Sequence, residues 1–302
     1  MSACSFELTM KKALLWCILL LSTQVCLATA PYFQASKLPA SDLTTQLSQV
    51  EKKLQAEGFT VIGRHTPRGL STHASLVVTD PAMLEAIKTI GGAGIIAAGI
   101  RVGVQSDGTV SYMNPDYWFR AYLRGQFKVA QDPAKSVQTR LAKALGEGTA
   151  FGGDVAEANL PSYRYMFGME RFDSSNSELS THPSFEEALK SVQDNLAKGV
   201  GNTSRVYDVV IADRKLAVFG IAMNDPGDGE GAWVNKIGAD HIAGMPYEIF
   251  IVGNKVFALY ARYRIALAWP ALGMGQFMGI INTPEAIRNT LARVAASSAP
   301  GN

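Results

Sequence analysis

Cysteine is scarce in this 302-residue chain: Cys4, Cys17 and Cys26 all precede residue 30, and none follows. The body of the protein therefore has no disulfide, no thiolate nucleophile and no thiolate metal ligand, and it must rely on its apolar core. Concentrated charge is missing too. Setting aside Glu7, Lys11 and Lys12 from 28 basic and 26 acidic side chains leaves 26 and 25, a net of +1 with no Lys/Arg stripe. Nucleic-acid binding, which needs a dense positive surface, is excluded as an expectation. No Gly-x-Ser-x-Gly elbow occurs, which removes the usual hydrolase nucleophile. Gly91-Gly92-Ala93-Gly94 follows a helical stretch (82–90), so it ends a helix and does not open one as a nucleotide loop would.

Long apolar runs are few. Lys11-Lys12, the run Ala13–Leu21 and the small residues Ala28-Thr29-Ala30 have the three parts of a secretory signal peptide. Cleavage is expected after Ala28 or Ala30, so the mature chain is expected to be periplasmic or secreted and without a transmembrane span. The second run, Ile265–Met278 ("IALAWPALGMGQFM"), contains Pro270 and is too short to cross a bilayer, which takes about 20 residues. It reads as buried core or as a docking patch for a protein partner or a membrane surface.

What is present is a pattern written twice. Residues 42–54, "DLTTQLSQVEKKL", and 184–196, "SFEEALKSVQDNL", place apolar residues at identical i, i+4, i+7, i+11 spacing behind N-caps Asp42 and Ser184. Glu187 is placed to complete a capping box with Ser184. Leu76–Pro81 parallels Ile221–Pro226, each a short strand running into Asp-Pro. Ile100–Val110 and Tyr247–Val256 read as hairpins turning at Asp107-Gly108 and Gly253-Asn254. Gly125-Gln126-Phe127 aligns with Gly275-Gln276-Phe277, and closing helices are expected to start near Pro133 and Pro284. Short strands are expected at Tyr32–Gln34 and at Tyr163–Met166. Residues 146–161 lack apolar periodicity and read as linker.

The expected organisation is a leader (1–30), a first repeat (31–146), a linker (147–161), a second repeat (162–297) and a disordered tail (298–302). Each repeat is an α+β unit of two layers, strand, helix, four antiparallel strands and helix.

"SFEEALKSVQDNL" and "IRVGVQSDGTVSYMNPDYW" resemble the bacterial domain family of unknown function numbered 302. The first copy keeps that pattern's Asn114-Pro115-Asp116 ending but has Gly99-Ile100 where members often carry Leu-Pro. The second keeps Met245-Pro246-Tyr247 and lacks the Asn-Pro. The resemblance implies a β-α-β4-α domain of the TATA-binding-protein-like type, and two copies in one chain imply a pseudo-symmetric saddle. The family has no established catalytic residues to carry over.

Chemistry-bearing residues are sparse. His65, His73, His182 and His241 offer no i, i+3 or i+4 pair, so a helix-borne metal site is not expected. A single His/Met copper site using His241 with Met245, Met274 or Met278 is the weaker reading, since imidazole and thioether suit copper. Asp80-Pro81 and Asp225-Pro226 read as cap or turn starters, and the loop 225–231, "DPGDGEG", as a solvated turn. Aromatic and basic residues are enriched after each hairpin: Tyr112, Asn114, Tyr117, Trp118, Phe119, Arg120 and Tyr122, then Tyr260, Arg262, Tyr263, Arg264 and Trp269. They either fill the sheet–helix core or line a ligand cleft. The functional expectation is a non-catalytic protein, without a cofactor, that binds a small, partly apolar ligand in a sheet–helix or inter-repeat cleft. The alternatives are docking through Ile265–Met278 and copper carriage.

Overall fold

A computed structural model describes residues 27–297; most of the expected leader and the expected tail lie outside them. The fold is α+β, with open antiparallel sheets and helices. Up to residue 145 the elements are β1 (Ala28–Thr29), β2 (Tyr32–Gln34), α1 (Leu43–Ala56), β3 (Thr60–His65), β4 (His73–Thr79), α2 (Pro81–Ile90), β5 (Ile100–Gln105), β6 (Val110–Met113), α3 (Pro115–Leu123) and α4 (Phe127–Leu145). Next come β7 (Thr149–Phe151) and β8 (Val155–Ala156). The remainder holds β9 (Glu178–Thr181), α5 (Phe185–Ala197), β10 (Thr203–Ile211), β11 (Leu216–Met223), α6 (Glu230–Ile237), β12 (Tyr247–Val252), β13 (Lys255–Phe257), α7 (Ala261–Ala268), α8 (Met274–Gly279) and α9 (Thr283–Ala295).

One sheet runs β3-β4-β5-β6-β2-β7, the other β10-β11-β12-β13-β9, and β1 pairs separately with β8. The first five strands of the larger sheet thus match the smaller sheet position for position. Both hairpins form with their expected turns: Gly108 (φ +92°) and Gly253 (φ +60°) supply the positive φ. Asp42 and Ser184 cap α1 and α5 by accepting from Thr45 N and Glu187 N. Asp80 caps α2 by accepting from Met83 N and is tied to Arg140 on α4. Asp225 opens a turn, accepting from Gly227 N and Asp228 N.

Strands β4, β5, β11 and β12 are buried along almost their whole length. Their near-continuous apolar runs, "LVV", "VFGIAM" and "IFIV", require cover on both faces. Helix α1 covers β3, β4 and β5, and α5 covers β10, β12 and β13. The opposite faces are covered by exchange. The 3₁₀ segment Gly92–Ala98 lies on β11 and β12, and the 3₁₀ segment Ala239–Gly244 lies on β4, β5 and β6. Gly103 permits this approach, because a Cβ there would stand 2.6 Å from the Ile242 side chain and 3.0 Å from Ala243 N. The two halves therefore share one hydrophobic core.

Several sequence expectations change. The closing helix α4 begins at Phe127, with Pro133 inside it. A proline there leaves one carbonyl without an amide donor, but Phe127, Ala130, Ala134, Val137 and Leu141 already form one buried face. The strand before α5 is Glu178–Thr181, not Tyr163–Met166; Tyr163 and Tyr165 instead send their hydroxyls to Ala266 O and Leu272 O. The segment read as linker carries β7, which extends the first sheet beside β2, and β8, which holds β1. Two helices follow the hairpins, α3 and α7, where the sequence reading had only connecting segments. No helix among the described residues is long and apolar enough to cross a membrane.

Candidate functional site

The aromatic and basic residues singled out from the sequence lie mostly inside the molecule. Asn114 is the N-cap of α3, and Pro115 takes the first helical position. That helix aims Tyr117, Trp118 and Tyr122 at the other half. Tyr117 donates to Leu267 O (2.9 Å), and Trp118 Nε1 donates to Pro31 O (2.9 Å). Helix α7 supplies Tyr263 and Arg264, both buried.

Arg264 meets two residues that the sequence reading passed over. Glu248 on β12 accepts from Arg264 Nε (3.1 Å) and Nη2 (3.3 Å), and also from Arg101 Nη1 on β5 of the other sheet. Both guanidiniums lie over the Trp118 ring, at 4.7 Å and 5.0 Å from its centroid. Arg101 is 0% exposed, Glu248 1% and Arg264 2%. Burial works against the Arg264 charge, but Glu248 and the neighbouring tyrosines more than offset it, so its pKa ends above the ordinary guanidinium value. Burial likewise pushes the hydroxyls of Tyr122 and Tyr247 upward. With every member buried, this cluster joins the halves and offers nothing to a solute.

The other expected residues are dispersed. Tyr112 donates to Gly146 O and Glu147 O. Asn114 Nδ2 donates to Ala30 O (2.8 Å). Arg120 pairs with Asp116 and Glu157, and Arg262 with Glu170. Tyr260 lies beside Arg262, and Trp269 donates to Gly238 O and stacks on His241. Three of the four histidines are also engaged. His65 is buried against Glu230 (2.5 Å), His182 Nε2 lies 2.9 Å from Ala295 O, and His241 Nδ1 lies 2.9 Å from Ala268 O. The described residues contain no group of three His, Cys, Asp or Glu side chains placed to hold a metal.

One solvent-reachable feature among the described residues is a cleft of about 270 Å³ lined by both halves and the segment joining them. Its apolar surface comes from Phe250 and Val252, two apart on β12 and therefore on one face, and from Phe257 on β13. Phe250 and Phe257 are direct cross-strand partners and stack at 5.4 Å. Ala93 of the first 3₁₀ segment, Phe172 and Arg124 complete the apolar and basic lining, while Asp173, Ser174 and Ser177 supply polar groups. Tyr263 backs Phe172 edge-on at 6.1 Å, and Ser177 Oγ accepts from Tyr260 N. The expected segment from Tyr260 to Arg264 thus supports the cleft from behind.

Arg124 has an unusual backbone. It closes α3 at φ +52°, ψ −126°, a conformation that favours glycine, although Gly125 follows one residue later. Its guanidinium lies 4.4 Å from the Phe172 centroid and 3.6 Å from Asp173. Strained residues of this kind gather at binding sites. The hairpin pattern of Tyr247–Val256 placed Phe250 on a strand; nothing local announced Ala93 or Phe172. Comparison with protein-family models and with curated proteins returned no match.

Proposed function

We propose that this is an exported, tandem α+β protein that binds a small, partly apolar ligand in the cleft between its halves. The observation that carries the reading is the lining: Phe172, Phe250, Val252 and Phe257 form an apolar surface, with Arg124 and two serines among the polar groups. A mostly apolar concavity with a few directed polar groups is the usual form of a small-molecule site. At about 270 Å³ it holds the volume of roughly nine liquid waters, at about 30 Å³ each. That favours a compact ligand with a short aromatic or aliphatic body and an anionic or hydrogen-bonding head. The matching strand orders of the two sheets support the tandem reading.

Isothermal titration with a carboxylate series from benzoate to octanoate tests this, using the unaltered protein and Val252→Trp. Saturable binding by the first and none by the filled variant is expected. Equal heats from both would overturn the proposal.

A further inference from the structure

Away from that cleft, we infer that the surface around Met166-Phe167 and helix α8 docks onto an anionic lipid bilayer. Phe167 is 94% exposed and Met166 44%. They stand at the apex of a turn closed by Met169 N donating to Met166 O (3.1 Å), with Gly168 at φ +83°. A Cβ added at Gly168 would touch nothing within 4 Å, so the turn projects into open space. An aromatic ring at the apex of a projecting turn adds nothing to the core.

The same neighbourhood carries a second apolar pair. The run Ile265–Met278 divides: Ile265–Trp269 is core, whereas Met274 (50%) and Met278 (58%), four apart on α8, are exposed. Tyr165 joins the two segments, since its hydroxyl donates to Leu272 O (2.7 Å) and its ring stacks on Phe277 at 6.1 Å. Loop and helix are thus held together, each presenting exposed apolar side chains. Aligned residues in the first half are Arg124 and Lys128, so the apolar choice belongs to the second half alone.

The adjoining charge selects the occupant. A concavity of about 320 Å³ beside the turn is lined by Val155, Asn159, Ser162, Tyr163, Arg164 and Arg171, with no carboxylate in its lining. Three of the acids near it in sequence are paired elsewhere: Glu157 with Arg120, Glu170 with Arg262 and Asp173 with Arg124. Neither Arg164 nor Arg171 has an ion-pair partner among the described residues. Apolar side chains that insert and guanidiniums that meet phosphates match an anionic bilayer, where each basic residue strengthens binding about five-fold.

Co-sedimentation with vesicles of phosphatidylcholine alone and of phosphatidylcholine with about one-third phosphatidylglycerol tests this. Protein and variants are matched by intact mass, so that all share one N-terminus. The expected result is preferential binding to the anionic vesicles, weakened at least ten-fold by Phe167→Asp. A loss of ten-fold or more is also expected from Arg164→Gln with Arg171→Gln, together with a flatter salt dependence. None of these positions is buried, and unchanged circular dichroism will show that the variants fold. Equal binding to both vesicle types, or variants that bind as the parent does, would overturn the inference, as would a protein partner retained on the same patch in the absence of lipid binding.

Discussion

Replacing Glu248 with glutamine should be among the most damaging single changes in the molecule. Its carboxylate is 1% exposed and takes hydrogen bonds from two guanidiniums that are themselves buried. The amide keeps the volume but removes the only negative charge in the cluster. Arg101 and Arg264 are then left as two like charges stacked on one indole. Breaking a buried ion pair from one side costs about 3–5 kcal/mol, against about 5–15 kcal/mol of total stability for a typical domain. At about 2–4 °C per kcal/mol for a protein near this size, the melting temperature should fall by about 6–20 °C. The loss should also be seen in urea unfolding at pH 7. Lys190→Gln, at the Lys190–Asp194 pair whose lysine is 74% exposed, is the control and should cost no more than about 0.5 kcal/mol. Adding Arg101→Met to Glu248→Gln should recover part of the loss, because only one unpaired guanidinium then remains buried. A Glu248→Gln penalty below about 1 kcal/mol would refute the claim that this cluster joins the halves.

Other changes should separate stability from binding. Arg124→Gly relieves the φ +52° backbone and should stabilise by about 1 kcal/mol, read by urea unfolding, while weakening carboxylate binding several-fold. Burial holds the His241 imidazole below its ordinary pKa, so the unfolded chain takes up that proton first. Its contribution is therefore complete above about pH 6.5 and declines as pH falls below that value. His73 shifts in the same direction through burial. His241→Phe should show a shallower loss of stability between pH 6.5 and pH 5, about one pKa group's worth. His65→Ala leaves the buried Glu230 side chain with the Tyr247 N–H but without its imidazole partner and should cost about 1–3 kcal/mol, with Glu230→Gln in the same background recovering part of it in denaturant titrations.

Local chemistry in the sequence was enough to place much of this fold. Asp42, Asp80 and Ser184 announced their helices, Gly108 and Gly253 their turns, and Val50, Leu54, Val192 and Leu196 their buried faces. The failures were of three kinds. Thr149–Phe151 is a three-residue strand between Gly148 and Gly152, both at positive φ, and glycine-flanked segments of that length carry no periodicity. Asn114-Pro115 was a legible helix start, but it was read through the family resemblance as the end of a hairpin. The pairing of Arg101 with Glu248, 147 residues away, had no local signature. A lone arginine and a lone glutamate inside apolar strands become informative only when taken together. A cleft was expected, but its lining was missed for the same reason: Ala93, Phe172 and Phe250 come from three separate elements.

Native mass spectrometry of the protein purified from its own host cells tests the central claim most directly. The account predicts an added small-molecule mass on the unaltered protein that disappears in Val252→Trp, with the fold intact in both. A ligand-free mass for the unaltered protein, together with no carboxylate heat in titration, would contradict it.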